Sequence, residues 1–205
     1  MKEINIDTWN RKQHFYHFVA LKNPFFAVTV PVDVTNAYRK SKKSGKSFFV
    51  RYLHDCMKAI NKVENMRYRI REGRVFDVGK VDASATIMRE DNTFGFSWIP
   101  FDFSYDIFYE NFLEEKVRVQ THHELYPPIN GDNCIHCSVM PWFNFTSQKE
   151  PVSGKMESIP ELSFSGVVTT DNKKSMNVAI SVNHALVDGY HVGLFVKLFQ
   201  QYLDE

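Results

Sequence analysis

The 205-residue chain holds only three cysteines. An odd number this small excludes a disulfide framework as the basis of the fold. No apolar run approaches the length needed to span a bilayer. The N-terminus, Met1-Lys2-Glu3-Ile4-Asn5-Ile6-Asp7, lacks the apolar stretch of a signal peptide, so the cytoplasm is the expected compartment. An excess of one charge is missing too: a formal net charge of +1 gives no reason to expect nucleic acid or an anionic membrane as partner. No internal repeat or low-complexity linker interrupts the chain. What is present, 43% hydrophobic residues with 18 Phe, suits one domain over residues 1–205 with a sizeable core. The aromatic content exceeds what packing requires and is compatible with an aromatic-lined pocket.

Two of the cysteines form Cys134-Ile135-His136-Cys137, which opens a redox or a zinc reading. Zinc requires a second pair of ligands, and His122-His123 is the only nearby candidate. Redox pairs of this type usually open a helix. Residues 135–139 read instead as a strand leading to Pro141, which favours buried structural thiols. No metal is expected.

Hydrophobic spacing orders the remainder. Asp7 or Thr8 would cap a short helix through Trp9 to about Phe15. A strand is expected over residues 25–32 and a helix after Asp33-Val34-Thr35, with the basic stretch 39–46 spanning its solvated end and a loop. Phe49, Leu53, Cys56, Met57 and Ile60 line one face of a helix over 47–63. A hairpin over 69–78 turns near Glu72-Gly73, strands follow at 83–88 and 93–98, then a helix at 105–119. Loops are expected at 127–133 and 149–158. Strands over 161–169 and 176–184 lead into a C-terminal helix. Hairpins mixed with helices predict an α+β fold: a two-layer sandwich in which helices cover a mostly antiparallel or mixed sheet.

Near the C-terminus, apolar residues at 176, 178, 180 and 182 alternate, and His184 continues their face. Asp188-Gly189 breaks the alternation, after which Val192, Phe195, Leu198, Phe199 and Tyr202 take up a helical spacing. An imidazole is thereby set at a strand end, four residues before a turn carboxylate. A histidine so placed can be held in one tautomer and take a proton near neutral pH. A hydrogen-bonded core histidine followed by an ordinary turn has the same spacing. Spacing alone leaves both readings open.

Several segments together carry a resemblance. His184-x-x-x-Asp188-Gly189 is similar to the signature of the chloramphenicol acetyltransferases and of the catalytic cores of dihydrolipoyl acyltransferases. Trp9-Asn10-Arg11-Lys12-Gln13-His14-Phe15 and Asn23-Pro24-Phe25-Phe26 resemble N-terminal segments of the chloramphenicol acetyltransferase family. Ser138-Val139-Met140-Pro141-Trp142-Phe143-Asn144-Phe145 and Asp188-Gly189-Tyr190-His191-Val192 resemble later ones, in the same order. These anchors span nearly the whole chain, and the fold they imply agrees with the α+β sandwich.

The resemblance implies an acetyltransferase that moves acetyl from acetyl-CoA to a small-molecule hydroxyl, with chloramphenicol as the named acceptor. Acetyl-CoA would be a co-substrate, with no cofactor held permanently. His184 is implied as general base and Ser138 as donor to the oxyanion, with direct transfer in a ternary complex. Arg11 and Asp188 match a supporting salt bridge. Trp142 and Lys46 are candidates to contact coenzyme A, the indole through an apolar face for its pantetheine arm or adenine and the ammonium through a phosphate; core packing for Trp142 and a solvated surface position for Lys46 stay open beside this. Phe18, Phe26, Phe94 and Tyr126 fall where acceptor-lining rings belong, with His17 and Ser163 in the same pocket. A homotrimer with active sites between subunits is implied as well.

The chain also departs from the family pattern. His17 stands where an aromatic ring is usual, Lys22 and Pro24 replace small or apolar residues, and Ser163 replaces a threonine. Gln148 and Glu150 take the place of apolar wall residues. Asn183 replaces the first of two histidines, and Gly166-Val167 a Lys-Tyr pair. The catalytic pair is kept while the acceptor walls are altered. One alternative is an acetyltransferase of the same fold acting on another alcohol. A second is an acyltransferase core of a larger assembly, against which the absence of a lipoyl domain or Pro/Ala-rich linker counts. A third is a non-catalytic ligand-binding trimer, against which the retention of His184 and Ser138 counts.

Overall fold

An eleven-residue strand, β10 (Lys173–Asn183), organises the computed structural model, which describes residues 1–151 and 157–205. β2 (Phe25–Asp33) pairs with it antiparallel from Phe25↔Asn183 to Asp33↔Ser175. On its other side lie β8 (Glu161–Ser165) and β9 (Val168–Thr170), both antiparallel. β7 (Cys134–Met140) runs parallel to β8, and β5 (Asp82–Met88) parallel to β7. β6 (Phe94–Phe96) ends the sheet antiparallel to β5, giving the order β2-β10-β8-β7-β5-β6. Parallel neighbours need a long crossover. The one between β5 and β7 carries β6 and the helix α4 (Tyr105–Thr121).

A second, three-stranded antiparallel sheet joins β1 (Lys2–Ile4), β4 (Arg74–Asp77) and β3 (Tyr68–Arg71). Its hairpin turns at Glu72 and Gly73, with φ of 50° and 73°. Two left-handed residues are what a two-residue loop needs to follow strand twist.

Pleating sorts the large sheet into two chemically different faces. Ala83, Ala85, Ile135, Cys137, Leu162, Phe164, Val178, Ile180 and Val182 are buried. They meet the helices α3 (Phe48–Lys62) and α5 (Gly189–Asp204), which pack on each other. Phe164 lies at the centre. Its ring sits 5.0 Å from Tyr52 of α3 and 6.4 Å from Phe199 of α5. The other face carries Ser84, Thr86, His136, Ser138, Glu161 and Ser163, brought level by the register Ser84↔His136↔Glu161 and Ser138↔Ser163. α2 (Thr35–Ser44) and α4 pack on α3 to complete the helical layer, and α1 (Lys12–Val19) lies at the end of β10, where Phe18 meets His184. The α+β expectation of helices over a mixed sheet holds.

Three expected boundaries shift, each for a local reason. The first helix begins at Lys12, not Trp9, because turns bonded Thr8 N to Asn5 O, Trp9 N to Ile6 O and Lys12 N to Trp9 O occupy the preceding residues. Neither Asp7 nor Thr8 caps it: Asp7 pairs with Lys12 at 2.7 Å, and the N-cap position falls to Arg11 with no side-chain cap bond. The basic stretch lies mostly inside α2, which runs to Ser44. The strand expected over 161–169 breaks between β8 and β9 at Gly166. A Cβ there would stand 2.7 Å from the Pro141 carbonyl oxygen, so the backbone crosses the 141–143 loop too closely for any side chain. The polar loop expected at 149–158 lies partly outside the described residues.

Phe164 is fully buried. Phe164→Ala should therefore cost about 3–5 kcal/mol through lost transfer energy and a cavity between α3 and α5. Urea unfolding at matched protein concentration measures it.

Candidate active site

Where β10 ends, Asn183 turns the chain. Its side-chain oxygen accepts from Ala185 N at 2.9 Å, and its own carbonyl accepts from Leu186 N and Val187 N, both at 3.0 Å. The side-chain nitrogen donates to the Glu157 carbonyl at 2.8 Å. Asn65 secures the same turn by donating to the Leu186 carbonyl at 2.8 Å. The asparagine that departs from the family pattern thus shapes the turn that holds His184.

His184 is half-buried, and its N–H donates to the Pro24 carbonyl at 2.8 Å. Its ring lies flat on Phe18 of α1, with centroids 3.9 Å apart and 7° between planes. Phe26 of β2 covers it from another side at 4.5 Å. These rings fix the imidazole plane. Nδ1 is enclosed and has no partner among the described residues, which leaves Nε2 as the nitrogen able to meet a substrate. His17, by contrast, is exposed and touches the edge of Phe18.

Arg11 braces this corner. Its guanidinium, buried within the fold, pairs with the Asp188 carboxylate and donates to the His184 carbonyl at 3.2 Å. Asp188 is the N-cap of α5: its side chain accepts from Tyr190 N at 3.0 Å, and His191 Nδ1 accepts from Asp188 N–H at 3.2 Å. Burial opposes ionisation of Asp188, but His191, Arg11 and the Tyr190 amide together hold its carboxyl below the ordinary value. Burial lowers His191 as well, against the pull of Asp188. A carboxylate at a helix N-terminus is favoured by the helix dipole too.

Ser138 belongs to a second cluster. It lines a cleft of about 660 Å³ on the polar face of the sheet, and its hydroxyl has no partner among the described residues. Phe94, Phe96, Tyr126 and Trp142 supply aromatic walls, and His136, Glu150, Glu157 and Glu161 supply polar ones. The Trp142 segment is pinned from below. Asn144 donates to Ser165 Oγ at 3.1 Å, Asn177 donates to Asn144 Oδ1 at 2.8 Å, and Gly166 N donates to Phe143 O at 2.8 Å. Trp142 itself is 67% exposed. Ser163 is buried behind the wall and donates to Glu150 Oε1 at 2.6 Å. Lys46 does not line the cleft. Its ammonium pairs with Asp106 at 2.6 Å and lies over the rings of Tyr105 and Tyr109.

One chain does not bring the two clusters together. Ser138 is level with Ser163, which is level with Ala179 of β10. His184 follows Ala179 by five residues, so the separation is about 17 Å along the strands and roughly 10 Å across them. A base and an oxyanion donor acting on the same carbonyl must lie within about 9 Å of each other, given contacts of about 3 Å at each step. Phe18, Phe26, Arg11 and Asp188 therefore gather around His184. Phe94, Tyr126 and Trp142 gather around Ser138.

Sequence reasoning missed Asn183 as the turn-former, the Asn144–Ser165–Asn177 support, and Glu157 and Glu161 in the cleft. Only Asn144 carried a signal, inside the Pro-Trp-Phe-Asn-Phe segment. The thiols fit the structural reading. All three cysteines are buried, and burial pushes Cys134 up to about 12 and raises Cys56 and Cys137, which makes them poor nucleophiles.

Because the Asp188 carboxyl is depressed, its stabilisation is complete above the unfolded value of about 3.9 and is lost as pH falls through the lower folded value. Asp188→Asn should cost about 1.5–3 kcal/mol near neutral pH. The gap to the parent should narrow below about pH 3.9 in denaturant titrations, and a gap constant with pH would contradict the ion pair.

Comparison with known proteins agrees with these motifs. A chloramphenicol acetyltransferase of Staphylococcus aureus is 27% identical over 202 residues, covering 96% of each chain. One of Clostridium perfringens is 27% identical over 203 residues, covering 97% of this chain and 92% of its own. A solved chloramphenicol acetyltransferase matches with a TM-score of 0.87 at 27% identity over 98% of both chains. A chain of the cubic core of the pyruvate dehydrogenase multienzyme complex shares the fold alone, with a TM-score of 0.68 at 14% identity over 95% of this chain and 86% of its own. A sequence profile for chloramphenicol acetyltransferase matches residues 1–200, and the chain belongs to the chloramphenicol acetyltransferase family.

Proposed function

We propose that this protein is an acetyl-CoA-dependent O-acetyltransferase acting on a small-molecule hydroxyl, with chloramphenicol as its named acceptor. The observation that carries the reading is the family match over residues 1–200 together with an oriented, ring-clamped His184 and a Ser138 that lines the cleft with no hydroxyl partner among the described residues. The whole chain serves as one catalytic domain. No helix among the described residues is long and apolar enough to cross a membrane, which is consistent with the proposed cytoplasmic location.

In this reading His184 Nε2 takes the proton of the acceptor hydroxyl as its oxygen attacks the thioester carbonyl. A C–O bond forms and the carbonyl electrons move onto oxygen, where the Ser138 hydroxyl donates to the developing charge. Collapse breaks the C–S bond, and the imidazolium returns its proton to the leaving thiolate. Arg11 and Asp188 move no proton. They hold the His184 backbone and the start of α5. Acetyl-CoA is a co-substrate, and no resident cofactor takes part in these steps. The exposed Trp142 indole suits the apolar arm of coenzyme A. A phosphate at Lys46 would compete with Asp106 for the ammonium.

The separation of His184 from Ser138 supports a site completed between copies. His184, Phe18 and Phe26 of one copy would face the Ser138 cleft of another, in the homotrimer implied by the family. Such an interface is heterologous, and a three-fold rotation closes it.

Coenzyme A release with and without chloramphenicol tests the activity. His184→Ala should lose about 10²–10⁴ in kcat while coenzyme A binding survives. Ser138→Ala should lower kcat by about 10²–10³ with little change in KM for acetyl-CoA. Activity within a few-fold of the parent in either variant would remove that residue from its role.

A further inference from the structure

Arg89 is buried, and it does not line the cleft. It starts the turn from β5 to β6, where its backbone N–H donates to the Thr93 carbonyl at 2.8 Å. A guanidinium carries five N–H donors in a fixed planar fork, and here each has an acceptor. Nε donates at 2.9 Å to the Val119 carbonyl, one of the last four of α4, which the helix itself leaves without a donor. Nη2 donates to the carbonyls of His122 at 3.2 Å and Glu124 at 2.7 Å, in the segment that leaves α4. Nη1 donates to the Phe94 carbonyl at 2.8 Å and to Thr93 Oγ1 at 3.4 Å, at the start of β6. One side chain thus joins the end of α4, the chain beyond it and β6.

What it joins is the ring wall of the cleft. Phe94 and Tyr126 lie on the two sides of this clamp and line the cleft together with Phe96. The Phe96 ring stands 5.6 Å from that of Phe94 and 5.3 Å from that of Tyr126. One backbone bond repeats the join, from Phe96 N to the Leu125 carbonyl at 2.8 Å. Phe94 is 47% exposed and Tyr126 58%, so packing around these rings is too open to fix them. Their backbones have to be held instead. Gly95 makes room for the clamp. A Cβ there would stand 2.6 Å from Arg89 Nη2, so the guanidinium can lie against β6 only where no side chain intervenes.

We propose that Arg89 is a positioning residue for acceptor binding: by clamping β6 to the segment after α4, it sets Phe94 and Tyr126 at the spacing the acceptor meets. This inference rests on the acetyltransferase reading and names the residue that shapes its acceptor wall.

Arg89→Met keeps an extended side chain and removes all the donors, and Arg89→Lys restores three. In coenzyme A release, Arg89→Met should raise the KM for chloramphenicol at least about tenfold, the effect of losing roughly one methylene contact in an apolar pocket. KM for acetyl-CoA should stay within about twofold, and Arg89→Lys should recover part of the loss. A merely structural role would shrink the folded fraction and the apparent kcat while leaving KM in place. Gly95→Ala keeps the arginine but displaces it, and should raise the acceptor KM in the same direction; it serves also where Arg89→Met does not fold. An acceptor KM unmoved in the folded variants, or raised equally for acetyl-CoA, would overturn the proposal. If the parent protein releases no coenzyme A with chloramphenicol, the acetyltransferase reading fails instead, and amide hydrogen exchange decides the clamp. The Phe96 N–H should then exchange about tenfold faster in Arg89→Met or Gly95→Ala, measured relative to the amides of β10 to remove any global destabilisation. An unchanged relative rate would refute the clamp.

Discussion

The guanidinium of Arg11 reaches two groups, each more than 170 residues further along the chain. One nitrogen meets the carboxylate that caps α5, and the other meets the carbonyl of His184. The entrance of α1 is thereby fixed to the exit of β10. Phe18, about two turns further along, is consequently set flat against the imidazole. Without this pairing, α1 would be held by apolar contacts and the local Lys12–Asp7 pair, neither of which ties it to the end of β10 by a directional bond. The orientation of His184 therefore depends on a charge that never needs to move.

The sheet supplies the other half of the chemistry by separating its two faces. Phe164, Leu162 and Ile180 on one face bind the helices. Their pleat neighbours Ser163, Glu161 and Ser181 are left on the other, next to Ser138 and His136. A bare polar sheet face would be fully solvated. Here it is roofed in part by the 141–145 segment, which the Asn144, Ser165 and Asn177 bonds hold in place. The cleft thus has a rigid floor of strand side chains and walls of rings, and its polarity follows directly from strand alternation.

Much of this was legible in the sequence where a pattern is local. The alternation through residue 182 and the helical spacing after 192 predict β10 and α5, and Glu72-Gly73 marks its turn. What could not be read depends on distant partners. Asp7 looks like a helix cap until Lys12 takes its carboxylate. Gly166 looks like a strand residue until the 141–143 loop is laid against it. Lys46 has a basic, solvated context in sequence, yet meets Asp106 sixty residues on. Glu161 reaches the cleft only because β8 pairs with β7. Matching to family motifs names the residues around the base and the hydroxyl, but it does not say that one chain keeps them about 19 Å apart, as the strand register requires.

The proposal of a site shared between copies is tested most directly by mixing two variants that are each inactive. His184→Ala retains the cleft with Ser138, and Ser138→Ala retains the imidazole. Co-expressed with different tags and purified as mixed oligomers, they can form interfaces in which both intact residues meet. Purified mixed trimers should return about a third of the parent kcat, since in each of them one interface in three pairs a native histidine with a native serine. Mixed oligomers verified by mass spectrometry that show no more activity than the separate variants would contradict a site built from two copies.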